Sequence, residues 1–182
     1  GLLSAPFRDR FGVQEKLETY PADQLELICE RSSKLLNIKV DAAGQALLAE
    51  HARGTPRIVN RFLRRVRDLA QVEKQDLITK DLARRGLDMV GVDAYGLQRI
   101  DRQIMETIAL AAGQPVGLRT LSVTAGEDDR TIEDVYEPHL IRCGYLLKTP
   151  RGRLLTNRGY DIIGQSRPHQ KDDGQGLLFP KD

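Results

Sequence analysis

Apolar residues recur at helical spacing through the first half of the chain, and this periodicity limits the fold more than any other feature. The clearest run follows Thr55-Pro56, where a hydroxyl residue that can cap a first turn precedes a proline suited to position N1. One face of the following helix carries apolar residues at intervals of four, four and three: Ile58, Phe62, Val66 and Leu69. In a half-buried strand, apolar residues would instead recur at every second position. The observed spacing therefore predicts helices in this half of the chain.

Residues 21–90 contain four runs of this kind and predict a four-helix bundle. The first begins at Pro21 and extends to about Asn37. The second is capped by Asp41 and ends at Gly54, the third starts at Thr55-Pro56, and the fourth is capped by Thr79 and extends through Leu87. The first helix is expected to bury an apolar stripe: Leu25, Ile28, Leu35 and Leu36.

A different order of elements follows residues 91–97, which are interpreted as a linker or a frayed helix start. We expect a first helix with Ile100, Ile104 and Ile108 facing inward, followed by an extended piece at 115–117. A second helix at about 118–125 and a turn at 126–128 come next. A third helix from about Asp129 to Gly144 is followed by two strands, at 145–149 and 153–156. This order predicts a winged helix-turn-helix with a small β-hairpin. The whole chain is therefore expected to be mainly α.

The two ends of the chain predict less regular structure. Residues 1–20 indicate a loop followed by a strand-like piece at 13–20, and we interpret them as the end of a larger domain. The sequence opens at Gly1 rather than Met, which suggests a fragment or a processed chain. Residues 165–182 are polar and predicted to be disordered. The apolar Leu177–Pro180 patch in that tail is either incidental or a short docking peptide.

The overall charge excludes a polycationic nucleic-acid coat. Lysine and arginine number 28 and aspartate and glutamate 26, for a net charge of +2, so any DNA site must be local. No apolar run approaches the roughly 18–20 residues that cross a bilayer, so we predict no membrane span. No basic segment leads into an apolar one near the start, as a secretory signal would require.

Residues for a complete active site are not recognisable within these 182 residues. The phosphate-binding pattern G-x-x-x-x-G-K-[ST] is absent, and no serine lies in a nucleophile-elbow pattern. Cys29 and Cys143 are far apart in sequence and are interpreted as buried, reduced thiols. With three histidines in the chain, we predict no metal site.

Two arginines occupy positions where they could bind phosphate. Arg10 lies beside Asp9 at a loop end, and a guanidinium on such a loop can project into a neighbour's nucleotide site; the alternative is a surface charge pair. Arg57 lies in the first turn of a helix, where the backbone amides already favour an anion. Four further arginines on that helix are expected to form a solvated face that pairs in part with Asp68: Arg61, Arg64, Arg65 and Arg67.

The hairpin turn at 148–153 is the third cationic feature. Lys148, Arg151 and Arg153 lie within six residues with no acid between them, which favours contact with DNA phosphates; the alternative is a solubilising tip. The preceding helix carries Arg130 near its start, surrounded by acids expected to repel phosphate: Asp128, Asp129, Glu133 and Asp134. We therefore predict binding through the wing, with few contacts and little base specificity.

Four stretches, in order, resemble the RuvB family of AAA+ motors that drive branch migration of Holliday junctions in bacteria. They are LSAPFRDRFG at 3–12, RGTPRIVNR at 53–61, TIEDVYEP at 131–138 and TPRGR at 149–153. The resemblance covers about residues 1–164. It implies that 1–20 end the large ATPase domain, that 21–90 form its helical lid, and that 91–164 form a winged-helix DNA-binding domain.

The same resemblance implies a function for the intact protein. It would be an ATP-dependent DNA helicase or translocase, using ATP with Mg²⁺, that assembles as a homohexamer on double-stranded DNA at Holliday junctions. It would act with RuvA, and with RuvC in a wider complex, in recombination, DNA repair and the SOS response, in the bacterial cytoplasm at the nucleoid. The Walker motifs and the RuvA-binding hairpin would lie upstream, so this chain alone is not expected to hydrolyse ATP.

Individual residues match the family's motifs. The resemblance implies that Arg10 is an arginine finger acting on an adjacent subunit, and that Tyr20 and Arg57 contact the nucleotide of their own subunit. It implies DNA contacts for four residues: Lys148, Arg151, Arg153 and Arg130. One departure is Asp129, which stands where the family commonly has a basic residue, with Arg130 one place later.

A second hypothesis is a stand-alone winged-helix DNA-binding or regulatory module whose helical bundle binds a partner. It accounts for residues 91–164 equally well. It offers no reason for Arg10 or for an arginine that opens a helix after Thr55-Pro56.

Overall fold

The computed structural model describes residues 10, 11, 13, 15 and 17–167, and it divides into two compact units. The first unit ends at Val90 and the second begins at Gly91. Within the described residues no helix is long and apolar enough to cross a bilayer.

The first unit is a four-helix bundle, as predicted. Its elements, in order, are α1 (Ala22–Leu35), β1 (Lys39–Val40), α2 (Ala42–His51), α3 (Pro56–Val72), β2 (Leu77–Ile78) and α4 (Lys80–Met89). The parallel pair of β1 with β2 was not predicted, because two residues are too few for a periodic signal. Helix α3 supplies much of the core and contacts the other three helices.

Helix starts in this unit follow the predicted caps with one exception. The Asp41 carboxylate accepts the Gly44 N–H at 2.6 Å, and the Thr79 hydroxyl accepts the Leu82 N–H at 3.3 Å. Thr55 occupies the N-cap of α3, with Pro56 at the first helical position, but its hydroxyl makes no cap hydrogen bond, so the predicted cap is wrong there. Leu35, which was expected to lie in the buried apolar stripe of α1, is exposed, because α1 ends there and the buried stripe stops earlier.

The second unit is a winged helix, again as predicted. It contains α5 (Arg99–Leu110), α6 (Leu118–Ala125), α7 (Asp129–Thr131), a π-helical turn (Ile132–Tyr136), α8 (Glu137–Arg142), the strands β3 (Leu146–Thr149) and β4 (Gly152–Leu155), and α9 (Asn157–Ile162). The two strands form an antiparallel hairpin, and Val116 bridges to Arg153 at its side. We call residues 146–155 the wing and residues 129–142 the recognition helix.

The π-helical turn in the recognition helix was not expected. Pro138 follows it closely, and a proline inside a helix lacks an N–H and clashes with the carbonyl four residues earlier, here that of Asp134. The wider turn accommodates this proline, so the helix continues instead of ending.

Two predictions about connecting segments differ from the structure, and a third, the tail, falls mostly outside the described residues. The described residues of 13–20 form no strand. Residues 92 and 97 are buried, and the Asp93 carboxylate accepts the N–H groups of Tyr95 and Leu97 at 2.9 Å, so this segment is part of the second unit's ordered start rather than a loose linker. Gln165 and Arg167 contact α9, while the rest of the predicted tail, 168–182, and residues 1–9 lie outside the described residues.

Candidate nucleotide and DNA contact sites

Tyr20 lies beside the start of α3 in the first unit. Its backbone N–H donates to the Gly54 carbonyl at 2.9 Å, which ties the segment before α1 to the loop before α3. A groove of about 630 Å³ opens where these segments meet, lined by Leu17, Glu18, Thr19, Tyr20, Pro21, Gln24, Gly54, Thr55 and Pro56. The Tyr20 ring is about half exposed beside it, so it can stack on a planar ligand.

Arg57 lies in the first turn of α3, next to the lining residues Thr55 and Pro56. It is exposed, and its guanidinium makes no ion pair or hydrogen bond with another described residue. The first-turn amides and the helix dipole attract an anion at the same end of α3. The structure therefore places an aromatic ring and the N-terminus of α3 at one groove, and Arg57 follows the lining residue Pro56 without itself lining the groove.

Three other arginines of α3 have partners of their own. Arg67 pairs with Asp68 at 2.7 Å, Arg65 approaches the same carboxylate at 3.9 Å, and Arg61 lies over the Phe62 ring at 5.5 Å. These contacts agree with the predicted solvated face and distinguish the three side chains from Arg57.

Arg10 lies on an exposed turn and is not among the groove's lining residues. It forms no ion pair with the described part of the chain. Of the three residues predicted to contact nucleotide, Tyr20 lines the groove, whereas Arg10 and Arg57 do not.

On the wing, Lys148 and Arg153 face each other across the two strands, and Arg151 lies in the turn. Arg151 is exposed and forms no ion pair with any described residue. The three cations therefore lie on one hairpin, as the sequence predicted, but the surroundings of Arg151 differ from those of Lys148 and Arg153.

Two carboxylates of the recognition helix neutralise the other two wing cations. Glu133 Oε1 accepts from Lys148 Nζ at 2.9 Å and from Arg153 Nη2 at 3.0 Å. Glu137 accepts from Arg153 Nε, and its Oε2 lies 3.2 Å from Lys148 Nζ. We call these four residues the wing cluster.

The exposed fractions within the wing cluster are unequal. The side chain of Arg153 is 9% exposed and that of Glu137 2%, whereas Lys148 is 49% and Glu133 42% exposed. The hydrogen bond from Lys148 lowers the pKa of Glu133, and the same bond raises the pKa of Lys148. Arg153 is therefore the least accessible of the three wing cations, because its guanidinium is buried against Glu137.

Arg130 lies exposed in α7, at the start of the recognition helix. Its neighbour Asp129 turns toward α6 instead: it accepts from the Ser122 hydroxyl and lies 3.6 Å from Arg119. Two of the four acids expected to repel phosphate, Asp129 and Glu133, therefore have hydroxyl or cationic partners, as does Glu137 one turn later. Their spacing of four residues along one helix is the sequence signal that could have revealed them.

The cysteines lie in different surroundings. Cys29 is buried, and burial followed by the charge of Glu26 raises the pKa of its thiol to about 11. Cys143 is half-buried, with Sγ 3.8 Å from His139 Nδ1. Among the described residues no group of three or more His, Cys, Asp or Glu side chains is arranged to hold a metal ion.

The sequence matches two family profiles in succession: the RuvB AAA lid domain over residues 20–93 and the RuvB C-terminal winged helix domain over residues 94–164. The chain is 48% identical to the Holliday junction branch migration complex subunit RuvB of Myxococcus xanthus over 180 residues, which are 98% of this chain and 52% of that protein.

Solved structures show the same similarity. The Thermotoga maritima RuvB Holliday junction branch migration motor superposes with a TM-score of 0.85 at 38% identity, over 92% of this chain and 56% of that one, and a point variant of the same protein gives the same TM-score at 37% identity. This chain spans about half the length of the relatives it matches. The two matched domains and the shared fold together show that the chain belongs to the RuvB family, as its lid and winged-helix part.

Proposed function

We propose that this chain is the lid and DNA-binding part of an ATP-driven motor that moves Holliday junctions along duplex DNA. The observation that carries the proposal is the combination in one chain of a groove lined by Tyr20 at the start of the helix that carries the exposed Arg57, and a winged helix whose exposed tip is Arg151. The named activity of the Myxococcus xanthus and Thermotoga maritima relatives supports it.

In the intact protein ATP with Mg²⁺ would supply the free energy for movement. Tyr20 and Arg57 would contact the nucleotide of their own subunit, because the Tyr20 ring lines the groove and Arg57 is exposed in the helical turn that begins at the lining residue Pro56. Arg10 would reach the nucleotide of an adjacent subunit in a homohexameric ring and neutralise charge on the transferred phosphoryl group. A movement of the lid on hydrolysis would then be transmitted to the winged helix.

The wing would contact phosphates of duplex DNA through Arg151 and Lys148, with Arg153 as the anchor that orients the hairpin. Arg130 would add a contact from the start of the recognition helix. Contact with the backbone rather than with base edges suits a motor, since it must pass over any sequence. Its partners would be RuvA at the junction and RuvC in the wider complex, in the bacterial cytoplasm at the nucleoid.

The nucleotide half of the proposal is tested in the intact protein with Arg10→Ala. We expect ATP binding to remain while turnover falls by about 10³-fold or more, the contribution of a typical arginine finger. Arg64→Ala is the matched control, because Arg64 is also exposed and forms no ion pair with another described residue. Turnover restored in rings that mix Arg10→Ala with Walker-defective subunits would support action across the interface, and wild-type turnover by Arg10→Ala alone would refute the assignment.

The DNA half is tested with Arg151→Ala in the 182-residue chain. We expect duplex affinity to fall by a similar factor on unrelated sequences and its salt dependence to become shallower by about one phosphate contact. A loss confined to one sequence would contradict binding through the backbone.

A further inference from the structure

We propose that the two carboxylates of the wing cluster act on DNA binding in opposite directions: Glu137 holds the wing in its binding position, whereas Glu133 competes with DNA phosphate for Lys148. This inference rests on the proposed function, since it concerns how the same wing meets DNA. It follows from the burial, geometry and charge of these four side chains.

Glu137 is a positioning residue. At 2% exposure it cannot touch DNA, and both its oxygens are occupied: one accepts from Arg153 Nε on β4, and the other lies 3.2 Å from Lys148 Nζ on β3. It therefore joins the recognition helix to both strands of the wing. Its loss would leave the buried Arg153 guanidinium without its main partner, a state that costs far more than breaking an exposed pair.

The backbone of Arg153 is held from the opposite side. Its N–H donates to the Val116 carbonyl at 2.8 Å, and the Val116 N–H donates to its carbonyl at 2.9 Å. The base of the wing is thus fixed by the extended piece before α6 and by Glu137 on α8. Arg151 consequently projects from a rigid base, which limits the conformational entropy lost on binding.

Glu133 occupies a different environment although it lies one turn away. Its side chain and that of Lys148 are both nearly half exposed, so salt and water weaken their pair. The Lys148 ammonium has three donors, and it can keep Glu137 while exchanging Glu133 for a phosphate oxygen. A carboxylate left at that position repels the phosphate, so Glu133 opposes the contact it neighbours.

The charge balance of the cluster leads to the same result. Two cations meet two anions there, which leaves Arg151 as the uncompensated charge among the wing's three cations within the described residues. Removing the charge of Glu133 frees about one further cation for a phosphate. Each phosphate neutralised adds about 0.9 to the slope of log affinity against log salt.

The test titrates the 182-residue chain against a fluorescein-labelled duplex of mixed sequence, about 30 base pairs long, by anisotropy at several salt concentrations. For Glu133→Gln we expect a dissociation constant lowered about 3- to 10-fold near 50 mM salt and a salt slope steeper by about 1. For Glu137→Gln we expect a dissociation constant raised at least about 3-fold, although a negative charge has been removed. Simple electrostatics would make both variants bind more tightly.

Three further variants keep the result decisive. Asp134→Asn removes an equal charge from an exposed carboxylate on the same turn that forms no ion pair with another described residue, and it should change affinity less than about 2-fold. In a Lys148→Met background Glu133→Gln should lose its effect. If Glu137→Gln does not fold, Glu137→Asp keeps the charge but cannot span both cations, and it should still weaken binding.

The outcomes separate this inference from the proposed function. If Arg151→Ala and Lys148→Met leave duplex affinity unchanged, the wing is not the DNA contact, and both proposals fail. A second outcome is that Arg151→Ala and Lys148→Met weaken binding, but Glu133→Gln does not tighten it or Asp134→Asn tightens it equally. The opposed effects of the two carboxylates are then overturned, while the wing remains the DNA contact. Tighter binding by Glu137→Gln or unchanged binding by Glu137→Asp overturns its positioning role.

Discussion

Gly152 lies so close to Val116 that a Cβ built at position 152 would stand 2.5 Å from the Val116 carbonyl oxygen. The φ angle of Gly152 is +142°, which residues with side chains rarely adopt. Residues 116 and 153 exchange both backbone hydrogen bonds alongside this contact. The wing therefore packs backbone to backbone against the piece before α6, and glycine is what permits that packing.

Replacing Gly152 with alanine tests this contact. We expect Gly152→Ala to lower the free energy of unfolding by about 2–5 kcal/mol, from backbone strain together with overpacking. Gly144→Ala is the control, because φ there is +71° but no atom lies within 4 Å of a Cβ, so about 1–2 kcal/mol of strain is expected alone. The measurement is urea denaturation followed by circular dichroism, and equal losses in the two variants would contradict the packing argument.

A second glycine supports the groove beside Tyr20. A Cβ on Gly54 would stand 2.5 Å from Thr19 Cβ, whereas Gly91 has the same φ of +75° and open space around it. We expect Gly54→Ala to push residues 19–20 away and to lower the hydrogen-exchange protection of the Tyr20 amide at least about 10-fold, because that amide donates to the Gly54 carbonyl. Gly91→Ala should leave this protection unchanged. An unaltered Tyr20 amide in Gly54→Ala would show that the contact does not hold the groove.

Arg57 is expected to act on phosphate without stabilising the lid. In the intact protein Arg57→Ala should lower ATP turnover by about 10²-fold or more, the cost of losing one donor to developing charge. The melting temperature of the 182-residue chain should not change, because Arg57 is exposed and makes no ion pair with the described residues. Arg64→Ala, on the same helix, should preserve both properties. A lower melting temperature with normal turnover would assign Arg57 a structural role.

The buried thiol of Cys29 predicts a specific pH dependence. Burial raises its pKa from 9.0 to about 11, so in this pH range the unfolded chain loses the proton before the folded chain does. The stabilising contribution is complete below about pH 9 and is lost as the pH rises toward 11. We expect the free energy of unfolding to fall more steeply between these pH values in the wild type than in Cys29→Ala. If urea denaturation gives parallel curves of unfolding free energy against pH for the wild type and Cys29→Ala, the Cys29 thiol is not the source of this pH dependence.

Much of the fold followed from local pattern. The four helices of the first unit and the helix order of the second were predicted because each buries a face set by the 3.6-residue period, and caps such as Asp41 and Thr79 act within three residues. The short pair of β1 with β2 and the helix α9 were not predicted, since neither contains enough residues for a periodic signal.

The candidate site was predicted in composition but not in arrangement. The residue pattern indicated Arg57 and the three wing cations as phosphate-binding residues, and the family resemblance implied that Tyr20 contacts the nucleotide. Only the folded chain places Tyr20 beside the start of α3. It could not show that Glu133 and Glu137 reach Lys148 and Arg153, 11 to 20 residues away, since that pairing depends on the turn of the helix and the packing of the hairpin.

The sequence by itself determined the helical bundle, the winged helix and the positions of the cations, because helical periodicity, capping and tight turns are interactions among near neighbours. The tertiary structure alone decided which cations remain available to a ligand. Arg57 and Arg151 form no ion pair within the described residues, while Arg153 is buried against Glu137. The physical reason is that a charge is neutralised by whatever carboxylate the packing places within a few ångströms of it, and that distance is set by the fold rather than by the residues beside it in sequence.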